Sequence, residues 1–152
     1  MLSDGDHTFA WDPRNQISSV NGTGPQYDAL GRKSTNLFGL SFLFDGANAV
    51  QELAGSTVTS NSIAGGVDET FARSDSSGSF IPLQDGLGST IALVDNAGNL
   101  ATTYSYDPFG NTTVSGSLSS NHFQDTGRGN DLNGLYDYRA RYYSPLLGRF
   151  IS

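Results

Sequence analysis

Asp125-Thr126-Gly127 spells the triplet of the aspartic peptidases, and it is the first place in this 152-residue chain to look for chemistry. That chemistry needs two carboxylates close enough to share one proton. The chain holds no second Asp-Thr-Gly or Asp-Ser-Gly, so Asp125 reads as an ordinary segment residue. His7 and His122 are the two histidines; they stand far apart and outside any metal-ligand spacing, which makes them surface polar residues. Asp4 and Asp6 could touch a cation, but no twelve-residue calcium-loop spacing follows them. Serine is plentiful, yet none sits in a Gly-x-Ser-x-Gly elbow. No catalytic residue, metal site or cofactor is expected.

The chemistry that remains is recognition. The run "GLYDYRARYYSPLLGRFIS", residues 134–152, holds five aromatic residues and three arginines. Tyrosine and arginine anchor interfaces, so Tyr136, Tyr138, Arg139, Arg141, Tyr142, Tyr143 and Arg149 are the candidate binding residues. A helix would scatter the tyrosines around its axis. A strand puts Tyr136, Tyr138, Ala140 and Tyr142 on one face and Asp137, Arg139, Arg141 and Tyr143 on the other. The expectation is one strand over 136–143, a proline-started turn at 144–148, and a new strand at "RFIS". Such a stripe would bind a sugar or peptide, or line a sheet while its arginines pair with neighbouring aspartates.

Short strands and turns must position these residues. An aromatic, an aspartate and a glycine- or asparagine-containing turn recur in "FAWDPRNQI", "QYDALGRKS", "FLFDGANAV" and "YSYDPFGNT", with a degenerate copy in "PLQDGLGST". In each unit the aromatic ends a strand and the aspartate accepts hydrogen bonds from turn N–H groups. Glycine or asparagine takes the left-handed position. Asp12, Asp28, Asp45 and Asp107 are the repeat-turn aspartates. Between them the apolar residues alternate with period two. Leu40, Phe42 and Phe44 share a face, as do Leu100, Thr102, Tyr104 and Tyr106. Hairpins are predicted across Asp45–Asn48, Asp75–Gly78 and Asp95–Asn99. Pro82 marks an edge or a strand end, and residues 113–130 read as a long exposed loop. The fold class is all-β: consecutive antiparallel hairpins in an open sheet.

Composition fits, with 19 glycines, 36% hydrophobic residues and 15% charged residues. No apolar run approaches the ~18 residues of a membrane span. The N-terminus lacks the basic and apolar regions of a signal peptide, so any export signal lies outside this chain. Cysteine is absent. Net charge is −7; residues 1–127 carry four basic and thirteen acidic side chains, and residues 128–152 four and two. An acidic bulk opposes general nucleic-acid binding. The basic end should pair with the acidic remainder of its own fold.

The aromatic-Asp units, "GVDETFARSDSSG", "DGLGSTIALVDNAGNLATTYSYDPFGN" and above all "TGRGNDLNGLYDYRARYYSPLLGRFIS" resemble bacterial RHS (rearrangement hotspot) or YD-repeat proteins. The resemblance is narrowest to the repeat-associated core near the end of their shell. It implies a spiralling β-sheet that encloses a toxin or partner polypeptide, in a protein secreted or associated with the cell surface. It also implies an aspartic autoprotease downstream of the "GRF" arginine, here Arg149. The expected division is 1–80 as degenerate YD repeats and 81–152 as the core, ending before the Asp-Pro catalytic segment. "DPFG" at 107–110 matches that segment only by spelling and falls where a repeat turn belongs. The implied partners are the rest of a shell or a cargo. Alternatives are a piece of the autoprotease and a surface module for carbohydrate or protein. Edge strands also predict that 136–143 and 150–151 pair with "HTFAW" or with a second copy, giving an oligomer or filament.

Overall fold

The computed structural model describes residues 2–3, 7–131 and 134–151; Asp4 and Asp6 lie outside the described residues. Among the described residues seventeen strands make up three antiparallel sheets, one 3-10 turn lies at Asp125–Gly127, and there is no α-helix. The first sheet joins β1 (Leu2–Ser3), β2 (Thr8–Trp11) and β3 (Ile17–Val20).

A ten-stranded meander follows. It begins with β4 (Gln26–Tyr27), β5 (Lys33–Thr35), β6 (Leu40–Asp45) and β7 (Asn48–Ala54). It continues with β8 (Thr57–Ala64), β9 (Thr70–Asp75) and β10 (Gly78–Gln84). It ends with β11 (Thr90–Asp95), β12 (Leu100–Tyr106) and β13 (Thr112–Gly116). Each strand pairs with its sequence neighbours, as short turns between alternating runs require. The last sheet holds β14 (Gly129–Asn130), β15 (Tyr136–Asp137), β16 (Tyr142–Ser144) and β17 (Arg149–Phe150).

One face of the meander is covered by the chain that comes after it. Thr90 Oγ1 donates to the Phe123 carbonyl at 2.8 Å, Thr102 Oγ1 to Ser117 at 2.9 Å, and Tyr143 OH to Phe109 at 3.0 Å. Residues 113–130 are therefore no exposed loop. β13 takes the first of them, and Asn121, His122 and Gln124 are buried against the sheet. His122 is thus buried rather than a surface residue. The reason lies in its partners: Glu52 Oε2 is 3.6 Å from Nε2, and Asn130 O is 3.2 Å from Nδ1.

Two further expectations are corrected. Pro82 lies inside β10, between β9 and β11, with Leu93 as its partner across the ladder. It is tolerated because the β9 ladder ends at Phe80↔Arg73, before an N–H is needed at residue 82. Leu100 does not share a face with Thr102 and Tyr104. Leu93 pairs with Thr102 but Val94 with Leu100, so Ala101 is an extra residue that turns Leu100 outward, 62% exposed.

The apolar core sits at the seam of the first and last sheets. Phe9, Ile17, Val20, Leu37, Leu135 and Tyr142 are buried together, with Trp11 and Ile151 packed against them. Side chains of β2 and β3 thus meet Tyr142 of β16 and Ile151.

Candidate functional site

The turns are built first. At Asp12, Asp28, Asp85, Asp95 and Asp107 the carboxylate Oδ1 accepts from the N–H groups two and four residues on, at 2.8–3.0 Å. The residue three positions on has positive φ: Asn15 61°, Gly31 78°, Gly88 84°, Gly98 86° and Gly110 87°. Its N–H donates back to the first residue's carbonyl. Asn36 makes the same loop with its amide oxygen, accepting from Phe38 and Leu40. The Asn36 and Asp95 copies lack the aromatic immediately before them; what the loops share is an Asx followed three residues on by Gly or, at Asn15, by Asn. Hydrogen bonds from the backbone N–H groups of Gln16 and Arg14 hold Asp12 below its ordinary pKa, and those of Ser89 and Leu87 do so for Asp85. Asp45 differs. It closes a two-residue turn against Asn48 and is exposed, with no hydrogen bond to its carboxylate among the described residues.

"DPFG" at 107–110 is one of these loops. Asp125 opens the 3-10 turn, where Thr126 has φ 49°. Burial, then the charges of Asp85 and Asp107, push Asp125 above its ordinary pKa.

The tyrosine-arginine run is not one strand. Tyr138 N–H donates to the Arg141 carbonyl and Arg139 adopts φ 66°, so the chain reverses within 138–141. Tyr136 then faces Tyr143, and Tyr143 faces Phe150. Residues 136–150 pair among themselves, not with "HTFAW". Alternation fails because the reversal inserts a tight turn into an apolar-polar pattern that a continuous strand would also satisfy.

This hairpin divides the candidates. Tyr136 and Tyr142 are buried, and Tyr136 OH contacts Thr112 Oγ1. Tyr138, Tyr143 and Phe150 form an edge-to-face trio with centroids 5.4–5.9 Å apart. Arg141 stacks 3.9 Å over Phe150. Arg149 lies exposed on β17. Arg139 turns the other way and shares Asp68 with Arg128.

Two buried ionic centres went unread in the sequence. Arg73 is 2% exposed and grips Glu52 with two nitrogens at 2.9 and 3.2 Å, and Ser120 at 2.9 Å. Lys33 Nζ lies 2.6 Å from Asp131 Oδ1 and 3.0 Å from Asp137 Oδ2. Burial alone would lower Lys33, but Asp137 and Asp131 outweigh it and hold its pKa above the ordinary lysine value. Neither centre has a local signal, because its members are 21 and 98 residues apart.

Between the two layers is a cavity of about 590 Å³. Phe42, Phe44, Leu30 and Phe123 give it apolar wall, and Arg14, Arg32, Arg128 and Arg139 give it cationic wall. Arg14 and Arg139 are the most exposed of the four, at 65% and 46% of their side chains. Asp68, Asp131 and Asp137 line it too, and each arginine lies within 3.5 Å of an aspartate: Arg14 of Asp12, Arg32 of Asp28, Arg128 and Arg139 of Asp68.

No family model matches the chain. It is 28% identical over 167 aligned residues to the tRNA3(Ser)-specific nuclease WapA of Bacillus spizizenii, covering 99% of this chain and 7% of that protein. It is 37% identical over 71 residues to the toxin subunit YenC1 of Yersinia entomophaga, covering 43% of this chain and 7% of that one. Among solved structures, TcdB2-TccC3 superposes with a TM-score of 0.72 at 19% identity, covering 97% of this chain and 9% of that one. The chain thus spans under a tenth of the length of the proteins it matches. Along nearly its whole length it has the fold of a stretch of the TcdB2-TccC3 chain, and it resembles RHS/YD-repeat-associated proteins.

Proposed function

We propose that this chain is structural: a stretch of RHS/YD-repeat shell wall whose inner face encloses or presents a toxin or partner polypeptide. One observation carries the reading. The covered face of the meander is built from fixed polar and ionic groups (Arg73 with Glu52, Lys33 with two aspartates), and the space left against it is rimmed by arginines. Such a face offers an unfolded polypeptide hydrogen bonds and charge around the apolar wall of Phe42, Phe44 and Phe123. The likeness to the toxin subunit YenC1 and to a toxin-complex structure supports the same role. The setting would be secreted or cell-surface, and the division at residue 80 into repeats and core belongs to the same proposal.

The Tyr138–Tyr143–Phe150 cluster, half-exposed beside Arg141, favours a second reading as a carbohydrate or protein contact. Fluorescence anisotropy against a permanently unfolded, carboxymethylated acidic polypeptide, run beside a glycan array, separates the two. Saturable polypeptide binding weakened by Arg139→Glu, with a blank array, supports the wall. A glycan signal lost in Tyr138→Ala, with no polypeptide binding, overturns it. Discrete fragments appearing on incubation and abolished by Asp107→Asn would instead point to self-cleavage.

A further inference from the structure

We propose that Lys33 and Asp131 condense into an intramolecular amide bond once the chain has folded, with Asp137 relaying the proton. Every part that this reaction needs is in place. The nucleophile is Lys33 Nζ, 2.6 Å from Asp131 Oδ1. The base is Asp137, whose Oδ2 is 3.0 Å from the same nitrogen, within direct proton-transfer reach. The electrophile is the Asp131 carboxyl carbon. Its other oxygen, Oδ2, accepts a hydrogen bond from Tyr142 OH at 2.9 Å, which polarises the carboxyl and holds the charge that develops there.

The three groups meet in a dry site that excludes the water a finished amide would need for hydrolysis. The Lys33, Asp131 and Asp137 side chains are 7%, 4% and 14% exposed. The Phe42 and Tyr142 rings lie 5.9 and 5.5 Å from Nζ. The two aspartates outweigh that burial and keep the ammonium charged, so condensation begins only once one of its protons has moved to Asp137. An amide removes one charge of each sign and needs no hydration shell. Reactants held at contact distance also forgo the entropy cost of meeting.

The atoms balance. Asp137 takes one proton from the Lys33 ammonium, leaving an amine. The nitrogen lone pair attacks the Asp131 carboxyl carbon, forming the C–N bond. Oδ1 departs as the C–O bond breaks. Of the three ammonium protons one stays on the amide, and two, the first passing through Asp137, leave with Oδ1 as water. Asp137 ends as it began, and the amide N–H keeps its contact. The bond ties β5 to Asp131, the residue directly after β14, closing a loop of 98 residues between the meander and the last sheet.

The test uses the full chain, purified folded. Its intact mass should fall short of the sequence by one water. Trypsin should leave the bond after Lys33 uncut and release a branched peptide joining Lys33 to Asp131. Asp137→Asn should restore the full mass and the linear Lys33 peptide. The same chain kept in denaturant from synthesis onward should also retain the water, whatever the variants' stability. Folded parent protein with its full sequence mass and a linear Lys33 peptide would overturn the proposal. So would a lost water mapped to any other pair.

Discussion

Arg73 shows how much one side chain can carry. Its guanidinium is buried between Glu52 of β7 and Ser120 of the covering segment, so one residue joins the two layers. Replacing it with methionine strands the Glu52 carboxylate in a dry site and should cost about 3–5 kcal/mol of stability in urea melts. The double variant Arg73→Met/Glu52→Leu should recover part of that loss: the Glu52 charge goes, while Asp75, 3.7 Å from Arg73 Nε, still loses its cation. Asp125 works in the opposite sense. Its folded pKa lies above the ordinary value of 3.8, chiefly through burial, so the folded state binds its proton more readily than the unfolded state. The stability linked to it is present at acid pH and is lost as pH rises through that higher folded pKa. Asp125→Asn should therefore raise the melting temperature at pH 7, with parent and variant converging below about pH 3.8. A variant equally less stable at both pH values would contradict this.

Among elements, the Asx loop repeats most faithfully. Asn36 fills the aspartate position, 2% exposed, with two N–H groups of its turn depending on its amide oxygen. Asn36→Ala leaves those donors without their acceptor and should cost about 1–3 kcal/mol by denaturant melt, while Asn36→Asp keeps the acceptor. The same loops explain why the meander was legible in the sequence. A local carboxylate, a glycine at fixed offset and period-two alternation all act within a dozen residues. Bulges were not legible, because one extra residue such as Ala101 leaves no mark on composition yet reverses every face beyond it. The 136–143 run misled for a related reason. A four-residue reversal at Tyr138–Arg141 hides inside a pattern that one strand would also fit. The burial of Asn121, His122, Gln124 and Asp131 depends on a sheet formed up to 98 residues earlier, and no short window reports it.

For the whole molecule, the fold is two layers held together by polar contacts more than by an apolar core. The buried apolar cluster is confined to the seam of the first and last sheets, while Arg73, Lys33 and Asp68 bridge elsewhere. The meander's other face stays open, with Ile63 at 65% and Ile81 at 51% exposure. Central to the account is the claim that the cavity face, not that open face, meets a partner polypeptide. Site-directed photo-crosslinking tests it most directly. A photoreactive side chain is placed at Phe44, on the cavity wall, or at Ile81, on the open face, and irradiated with the unfolded acidic polypeptide. The account predicts adducts from position 44 that excess unlabelled polypeptide competes away, and none from position 81. Competable adducts from position 81 alone would contradict it.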